Sequence, residues 1–210
     1  KFTEFVMLFA PMGVFGAIAH TIAVNGLGIM ANYAKIIFAL YSALFVFLFV
    51  VFTTVCKFCH VPLLGLLKAL REPALLAFTT ATSESALPKA MKIMEDFGVP
   101  KKIVGFVMPT GYTFNMDGST LYLSLAVLFA TQIANVELTI SQQLMIMLVL
   151  MVTSKGMAGI PRVTLVVLAG VLTSFNYPLI GVAILLGIDQ ILDMGRTTVN
   201  LIGNCFCSRR

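Results

Sequence analysis

The chain has 210 residues, of which 59% are hydrophobic and 11% are charged. Soluble globular domains contain about 25% charged residues, so this composition indicates a membrane protein that is surrounded by lipid. The net charge of +5 does not indicate a nucleic-acid partner, because the sequence contains neither a basic helix nor an aromatic platform.

Two apolar runs near the start of the chain predict transmembrane helices. The first, residues 5–24, lacks a signal-peptide cleavage site and is followed by further apolar segments. The second, "IIFALYSALFVFLFVVFTTV" (36–55), is uncharged and has the length of about 20 residues that spans a bilayer, so we predict a helix over 28–59. Because the chain begins with Lys1 and ends within a helical pattern, we interpret it as a fragment of a larger membrane protein.

The Lys and Arg residues predict the topology of these segments. Ten of the fourteen fall where one side of the membrane is expected, and the positive-inside rule makes that side cytoplasmic. Lys35 falls on the opposite side, and three others lie within apolar segments. The ten cytoplasmic residues are Lys1, Lys57, Lys68, Arg71, Lys89, Lys92, Lys101, Lys102, Arg209 and Arg210.

Two later segments have arms too short to cross the membrane, and they predict re-entrant helical hairpins of opposite orientation. Residues 62–97 begin and end on the cytoplasmic side, and their arms meet at "TTATSESALP", where Ser, Thr and Pro are expected to unwind the chain. Residues 139–175 lie between two external loops and meet at "SKGMAGIP". Broken hydrophobic segments in corresponding positions indicate a transporter binding site near the middle of the membrane.

The span between the hairpins, residues 101–134, is expected to be interrupted. Its centre, "PTGYTFNMDGST", contains Pro109 and Gly111, which weaken a helix, and Asp117 followed by Gly118. An unwound segment exposes backbone carbonyl oxygens, which are suitable ligands for a hard cation.

The last predicted helix, residues 178–207, carries a polar stripe. At about 100° per residue its polar positions fall within an arc of about 80° on an otherwise apolar rod. Ionisable groups in a membrane helix cost about 2.5–3.5 kcal/mol each, so we expect the stripe to face the protein interior. The stripe consists of Asp189, Asp193, Arg196, Asn200 and Asn204.

This stripe predicts a binding site for a zwitterion. Arg196 offers a planar fork of N–H donors that matches a carboxylate, and Asp193 offers a negative partner for an ammonium group. An acidic amino acid fits this set better than a sugar or a bare metal ion. The alternative is a purely structural i,i+3 pair between the two side chains, which would leave Asn200 and Asn204 unexplained.

Four motifs resemble those of the dicarboxylate/amino acid:cation symporters, the family that includes the glutamate transporters. "NMDGST" (115–120) resembles the unwound helix of that family, and "DMGRTTVN" (193–200) resembles its substrate-binding helix. "SESALP" (83–88) and "TSKGMAGIP" (153–161) resemble its two hairpin tips. The resemblance covers nearly the whole chain, corresponds to the C-terminal half of such a transporter, and is greatest to bacterial proton-coupled glutamate/aspartate symporters.

The resemblance implies an all-α membrane fold with two oppositely oriented re-entrant hairpins and an unwound helix. It implies a homotrimer in the bacterial inner (plasma) membrane that crosses the bilayer several times. Residues 1–27 would form a scaffold-type transmembrane helix, and residues 28–210 would form a transport domain that moves as an elevator. The implied function is secondary symport of glutamate or aspartate, with no cofactor, no bound structural metal and no enzymatic activity.

The resemblance also assigns residues to the site. Arg196 would bind the side-chain carboxylate of the substrate, and Asp193 would bind its amino group. The implied substrate-binding residues are Ser83, Ser85, Ser119, Ile160, Asp193, Arg196, Thr197 and Asn200. The implied cation- or proton-coupling residues are Glu84, Gly111, Thr113, Asn115, Asp117, Lys155 and Asn204.

Departures from the family pattern favour protons over sodium as the coupling ion. Sodium-driven members have Asp where this chain has Asn204, and a small or apolar residue where it has Lys155, whose ammonium would replace one bound cation. Leu123 stands where animal relatives have a proton-carrying acid, so Glu84 and Asp117 become the candidates, since burial favours a protonated carboxyl group. Alternatively, Glu84 pairs with Lys155 or Lys89.

Other functions remain as alternatives. The four-carbon dicarboxylate carriers of the family share the Asn and the Lys but lack the aspartate at position 193, and sodium-coupled amino acid symport is a further variant. An anion channel would show rings of like groups, and an intramembrane hydrolase would need a nucleophile beside a base. An inactive fragment is the last alternative. "CKFCH" (56–60) matches a haem-attachment pattern but lies at a cytoplasmic helix end.

Overall fold

The computed structural model describes residues 12, 15–16, 18–20, 22–23, 26, 28–58, 62–155 and 163–208. These residues are mostly helical, with turns and short irregular segments between the helices, and they contain no strand, which confirms the all-α prediction. The predicted first span (5–24) lies largely outside the described residues. The described helices are α1 (Ile29–Phe58), α2 (Leu63–Ala69), α3 (Arg71–Thr80), α4 (Ser83–Asp96), α5 (Lys101–Phe114), α6 (Asp117–Ile133), α7 (Ile140–Thr153), α8 (Val163–Ser174), α9 (Ile180–Leu186) and α10 (Asp189–Ser208).

Helix α1 is, in the described part of the chain, the one helix that is long and apolar enough to cross a membrane. It contains a π-helical segment, Phe47–Val51, and then continues as an α-helix. The ring of Phe52 follows this segment and stacks on Phe206 of α10 at a centroid distance of 5.8 Å. The apolar helices α7 and α8 are shorter.

Helices α3 and α4 pack against each other and correspond to the two arms of the first predicted hairpin. The break between them is shorter than predicted, because only Ala81 and Thr82 lie outside a helix. Ala81 adopts a left-handed conformation (φ 51°), which reverses the chain. The unwound tip predicted over "TTATSESALP" (79–88) is therefore limited to two residues, since residues 83–88 form the first turns of α4 and Pro88 lies within that helix.

The polypeptide between Lys101 and Ile133 is interrupted at Asn115 and Met116, as a break between α5 and α6. The break is short, and α5 accommodates Pro109 without ending. After α6, a capping box of Thr139 and Gln142 begins α7. The segment 178–207, predicted as one helix, is divided by a turn at residues 187–188 into α9 and α10.

Helix α10 lies at the centre of the described structure. It packs against α1, α3, α4, α5 and α6, so it is surrounded by protein on most of its circumference. Two apolar cores flank it: one includes residues of α1, α6, α7, α8 and α9, and the other includes residues of α2 to α5. This arrangement buries the polar stripe of α10 between the cores.

Candidate functional site

The polar side chains of α10 are buried. Asp189, Arg196 and Asn204 are 1%, 2% and 2% exposed, and Asp193 and Asn200 are partly buried. Burial of charged groups is costly unless partners compensate for the lost hydration. The stripe therefore has the interior orientation that its spacing predicts, and its partners define the site.

The N-terminal part of the stripe forms a guanidinium cluster around Arg196. Its Nε donates a hydrogen bond to Asp193 Oδ1 (2.8 Å), and its Nη1 lies 3.4 Å from Asp189 Oδ1. The guanidinium carbon stands 4.4 Å from the ring centroid of Tyr122, a cation–π distance. We use the term guanidinium cluster for Tyr122, Asp189, Asp193, Arg196 and Thr197.

Further hydrogen bonds fix the two carboxylates of this cluster. The Tyr122 hydroxyl donates to Asp189 Oδ1 (3.3 Å), and the Thr197 hydroxyl donates to Asp193 Oδ1 (3.0 Å). Within the described residues, Arg196 Nη1 has no hydrogen-bond acceptor despite its proximity to Asp189. The guanidinium is thus held in a fixed orientation and retains donor capacity for a carboxylate.

Asn200 connects the stripe with the helix break. Its Oδ1 accepts hydrogen bonds from the backbone N–H groups of Gly118 (2.8 Å) and Ser119 (3.4 Å), and its Nδ2 donates to Ser119 Oγ (2.9 Å). The N-cap residue of α6, Met116, supplies no side-chain cap. Asn200 therefore caps α6 from a neighbouring helix and satisfies N–H groups that the helix leaves free.

Gly118 allows α6 to approach α10 closely. A Cβ atom at this position would lie 2.5 Å from the backbone carbonyl oxygen of Arg196 and 3.0 Å from its Cα. Backbone atoms cannot move aside as a flexible side chain would, so any larger residue must separate the two helices. The glycine thereby positions both Arg196 and the Asn200 cap.

Gly118→Ala is expected to destabilise the protein by about 1–3 kcal/mol, because over-packing separates α6 from α10. Gly105→Ala is the matched control, since nothing lies within 4 Å of its added Cβ. That variant should unfold at the same temperature as the parent or slightly higher. Thermal unfolding of both variants in detergent checks this, and equal midpoints would contradict the proposed close contact.

The C-terminal part of the stripe faces the break between α5 and α6. Asn204 Nδ2 donates to the carbonyl oxygen of Met108 (2.7 Å), and its Oδ1 has no hydrogen-bond partner among the described residues. A Cβ atom on Gly111 would collide with that Oδ1, so the glycine leaves the space that Asn204 occupies. A buried acceptor of this kind is rare, and it can accept a hydrogen bond from a water molecule or contact a cation.

A cavity of about 20 Å³ lies beside this acceptor, which is about the space that one water molecule needs. It brings together predicted site residues from three segments that are distant in the sequence. We use the term break cluster for the polar residues that line it: Ser83, Tyr112, Asn115, Asn200 and Asn204.

Asp117 lies beside Asn115 of the break cluster. A Cβ on Gly203 would be 3.2 Å from both Asp117 Oδ2 and Asn115 Nδ2, so these groups converge on α10 near Asn204. Thr113, at the end of α5, is partly buried. The predicted coupling residues Gly111, Asn115, Asp117 and Asn204 are thus neighbours in space.

The residues of the first hairpin tip are distributed differently. Ser83 lines the cavity, whereas Ser85 is exposed and forms hydrogen bonds with Thr80 and Thr82 inside the turn. Glu84 is also exposed and accepts a hydrogen bond from the Tyr112 hydroxyl (3.2 Å). The burial expected for Glu84 is therefore wrong for the described residues.

The two lysines that the sequence suggested as partners of Glu84 interact with other carboxylates. Lys89 pairs with Glu72 at 2.6 Å. Lys155 is exposed at the end of α7, and its charge attracts the Asp117 carboxylate. The neighbouring Ser154 is fully buried and its Oγ accepts a hydrogen bond from Thr120 (3.1 Å). Ile160, Arg162 and the rest of the second tip (156–162) lie outside the described residues.

Two members of the guanidinium cluster were not among the predicted site residues. Asp189 was recognised only as part of the stripe, although its i,i+7 spacing to Arg196 places both on one helix face. Tyr122 lies three residues after Ser119 on α6 and could have been found from that spacing. Its contact with Arg196 depends on how α6 packs against α10, which spacing alone does not determine.

Comparison with known families agrees with these features. A family model described as the sodium:dicarboxylate symporter family matches residues 1–209. The chain belongs to this family. The resemblance inferred from the four motifs is thereby confirmed, and membership in a family of transporters implies a membrane location.

The symporter relatives differ in what their names say they transport. A protein named proton/sodium-glutamate symport protein from Geobacillus stearothermophilus is 46% identical over 96% of this chain. The proton/glutamate-aspartate symporter of Escherichia coli (strain K12) is 45% identical over 97% of it. A C4-dicarboxylate transport protein of Bacillus subtilis (strain 168) is 43% identical over 97%. The chain spans 48%, 47% and 49% of these three proteins, about half of each.

Proposed function

We propose that this chain forms the substrate- and cation-binding part of a symporter for glutamate or aspartate. The observation that supports this best is the buried guanidinium of Arg196, held between two carboxylates with an Nη1 donor still available. A substrate carboxylate would accept hydrogen bonds from this fork, and Asp193 would receive the substrate ammonium. Ser83, Ser119, Thr197 and Asn200 would complete the site.

The charge of the guanidinium cluster favours co-transport of a cation. Two carboxylates and one guanidinium give the cluster a formal charge of −1. An acidic amino acid adds a second negative charge to a region shielded from water, which is unfavourable without compensation. One or more co-bound cations would remove this cost, so substrate and cation would bind together.

We infer that the cation is a proton and not sodium. A sodium ion is held by oxygen ligands, and the break cluster offers an amide at Asn204 where sodium-driven members have a carboxylate. The Asn204 N–H already donates to the Met108 carbonyl, a group that a bound cation would otherwise polarise. Lys155 adds a positive charge that interacts with the Asp117 carboxylate. Asp117, which is partly buried, remains the candidate proton carrier, whereas the exposed Glu84 lacks the burial on which its candidacy rested.

The finer architecture belongs to the same proposal. The α3–α4 pair would be a re-entrant hairpin that enters from the cytoplasm, and α7 and α8 would form a second hairpin from outside. The α5–α6 break would be the unwound helix near the middle of the membrane. The complete protein would be a homotrimer of the bacterial inner membrane, and residues 28–210 would move as an elevator against a scaffold.

An imposed proton gradient should drive glutamate uptake in sodium-free buffer. Vesicles with the complete protein and an alkaline interior should accumulate labelled glutamate, and a protonophore should abolish this accumulation because it collapses the gradient. Vesicles without the protein are the control. Uptake that requires sodium would contradict the proton proposal and support a sodium-coupled symporter instead.

A C4-dicarboxylate symporter is the second candidate, since one relative has that name at 43% identity. Asp193 argues against it, because a dicarboxylate has no ammonium to balance this carboxylate. Excess succinate should therefore compete only weakly with labelled glutamate in the same vesicles. Competition as strong as that by unlabelled glutamate would favour the dicarboxylate function.

A further inference from the structure

A cleft of about 510 Å³ lies far in the sequence from the guanidinium cluster, where α2 passes into α3. Lys68 at the end of α2 and Arg71 at the start of α3 line it, together with Glu72. Gly65 and Ile93 provide an apolar part of its wall. The proposed transport site uses none of these residues, so the cleft has no role assigned so far.

The cleft has an excess of positive charge. Glu72 is neutralised by Lys89, whose hydrogen bond and charge lower the pKa of that carboxyl group below its usual range. Among the described residues, neither Lys68 nor Arg71 forms an ion pair. The cleft therefore attracts an anion.

Apolar groups adjoin this charged cleft. Leu64, next to Gly65 on α2, is 77% exposed, and Leu75 on α3 is 64% exposed. A small soluble anion would contact only the charged side chains. A phospholipid would place its phosphate at the charged side chains and its acyl chains on the exposed leucines. Lys68 and Arg71 also belong to the set of basic residues that the topology assigns to the cytoplasmic side, where the leaflet is rich in anionic lipid.

We propose that this cleft binds the headgroup phosphate of an anionic phospholipid of the cytoplasmic leaflet, with Lys68 and Arg71 as the phosphate ligands and the acyl chains along the leucines. Basic pockets on the cytoplasmic side of membrane proteins hold such headgroups, and each basic residue contributes a several-fold preference. The inference does not depend on which solute or ion is transported.

Quenching of a tryptophan reporter tests the site in the complete protein. The 210 residues contain no Trp, so Leu64→Trp places a reporter beside the cleft, and the signal of the parent protein is subtracted. The protein is reconstituted in phosphatidylcholine vesicles that contain increasing amounts of dibrominated phosphatidylglycerol or dibrominated phosphatidylcholine. We expect a relative binding constant for phosphatidylglycerol that is at least about fivefold higher.

Charge variants identify the ligands. Lys68→Gln/Arg71→Gln should abolish the preference, and Lys68→Arg/Arg71→Lys should keep it. Lys101→Gln/Lys102→Gln is the matched control, because it removes two exposed charges from the same predicted side but outside the cleft, and it should keep the preference. An equal loss in this control, or no preference in the parent reporter, would overturn the proposal. Displacement by excess inorganic phosphate would overturn it as well and indicate a site for a soluble anion.

Discussion

Glutamate uptake should fall by at least about 30-fold when Arg196 is replaced by alanine, since loss of one partner of a buried charged pair costs about 2–5 kcal/mol. The guanidinium is 2% exposed and has carboxylates on two sides, Asp189 and Asp193. Its removal deletes the donor fork proposed for the substrate and leaves two like charges close together. Initial rates of uptake of labelled glutamate into vesicles measure the effect.

The variant Arg196→Lys distinguishes the contribution of the planar pair of N–H donors from the contribution of the positive charge. Lysine keeps one positive charge beside the two aspartates but cannot offer two parallel donors to one carboxylate. This variant should therefore unfold at nearly the parent temperature, whereas Arg196→Ala should be destabilised by about 3–5 kcal/mol. Its glutamate uptake should nevertheless be strongly reduced. Parent-like uptake by Arg196→Lys would show that the fork does not bind the substrate.

The positions of helices followed from the sequence where one local property dominated. The uncharged run in α1 predicts a long apolar helix, and Pro109, Gly111 and Gly118 predict a weakened helix in the region where α5 ends and α6 begins. The predicted first tip, residues 79–88, is longer than the observed break of two residues, because Ser, Thr and Pro are expected to weaken a helix. In the structure the hydroxyl groups of Thr80, Thr82 and Ser85 satisfy one another within one turn, so two non-helical residues suffice.

The sequence predicts which residues of the candidate site share one face of a helix, but it does not predict the contacts between different helices. The spacing of polar groups on α10 placed the stripe on one face, and burial of Asp189, Arg196 and Asn204 agrees with that. The contact of Tyr122 with Arg196, and the cap that Asn200 provides to α6, require two helices in a given register. That register depends on close packing at Gly118, a tertiary contact without a signal in the local pattern.

Replacement of Asn204 by aspartate exchanges one amide for a carboxylate, and we expect this small change to alter which cation couples to uptake. The Asn204 Nδ2 donates to the Met108 carbonyl, and its Oδ1 faces Gly111 without a hydrogen-bond partner in the described structure. Asparagine thus presents a donor to one backbone oxygen. An aspartate would present two acceptors, and its negative charge would face the carbonyl in a site that is only 2% exposed.

Asn204→Asp should consequently lower glutamate uptake in sodium-free buffer by at least about tenfold, since leaving a buried group unpaired costs about 1–3 kcal/mol and more when it is charged. Sodium should restore part of the uptake, because a bound cation would compensate the carboxylate and bridge it to the carbonyl oxygen. Asn135→Asp makes the same change at an exposed position and should have no effect. Uptake rates at increasing sodium concentration decide the matter. Unchanged, sodium-independent uptake by Asn204→Asp would mean that the coupling ion binds elsewhere.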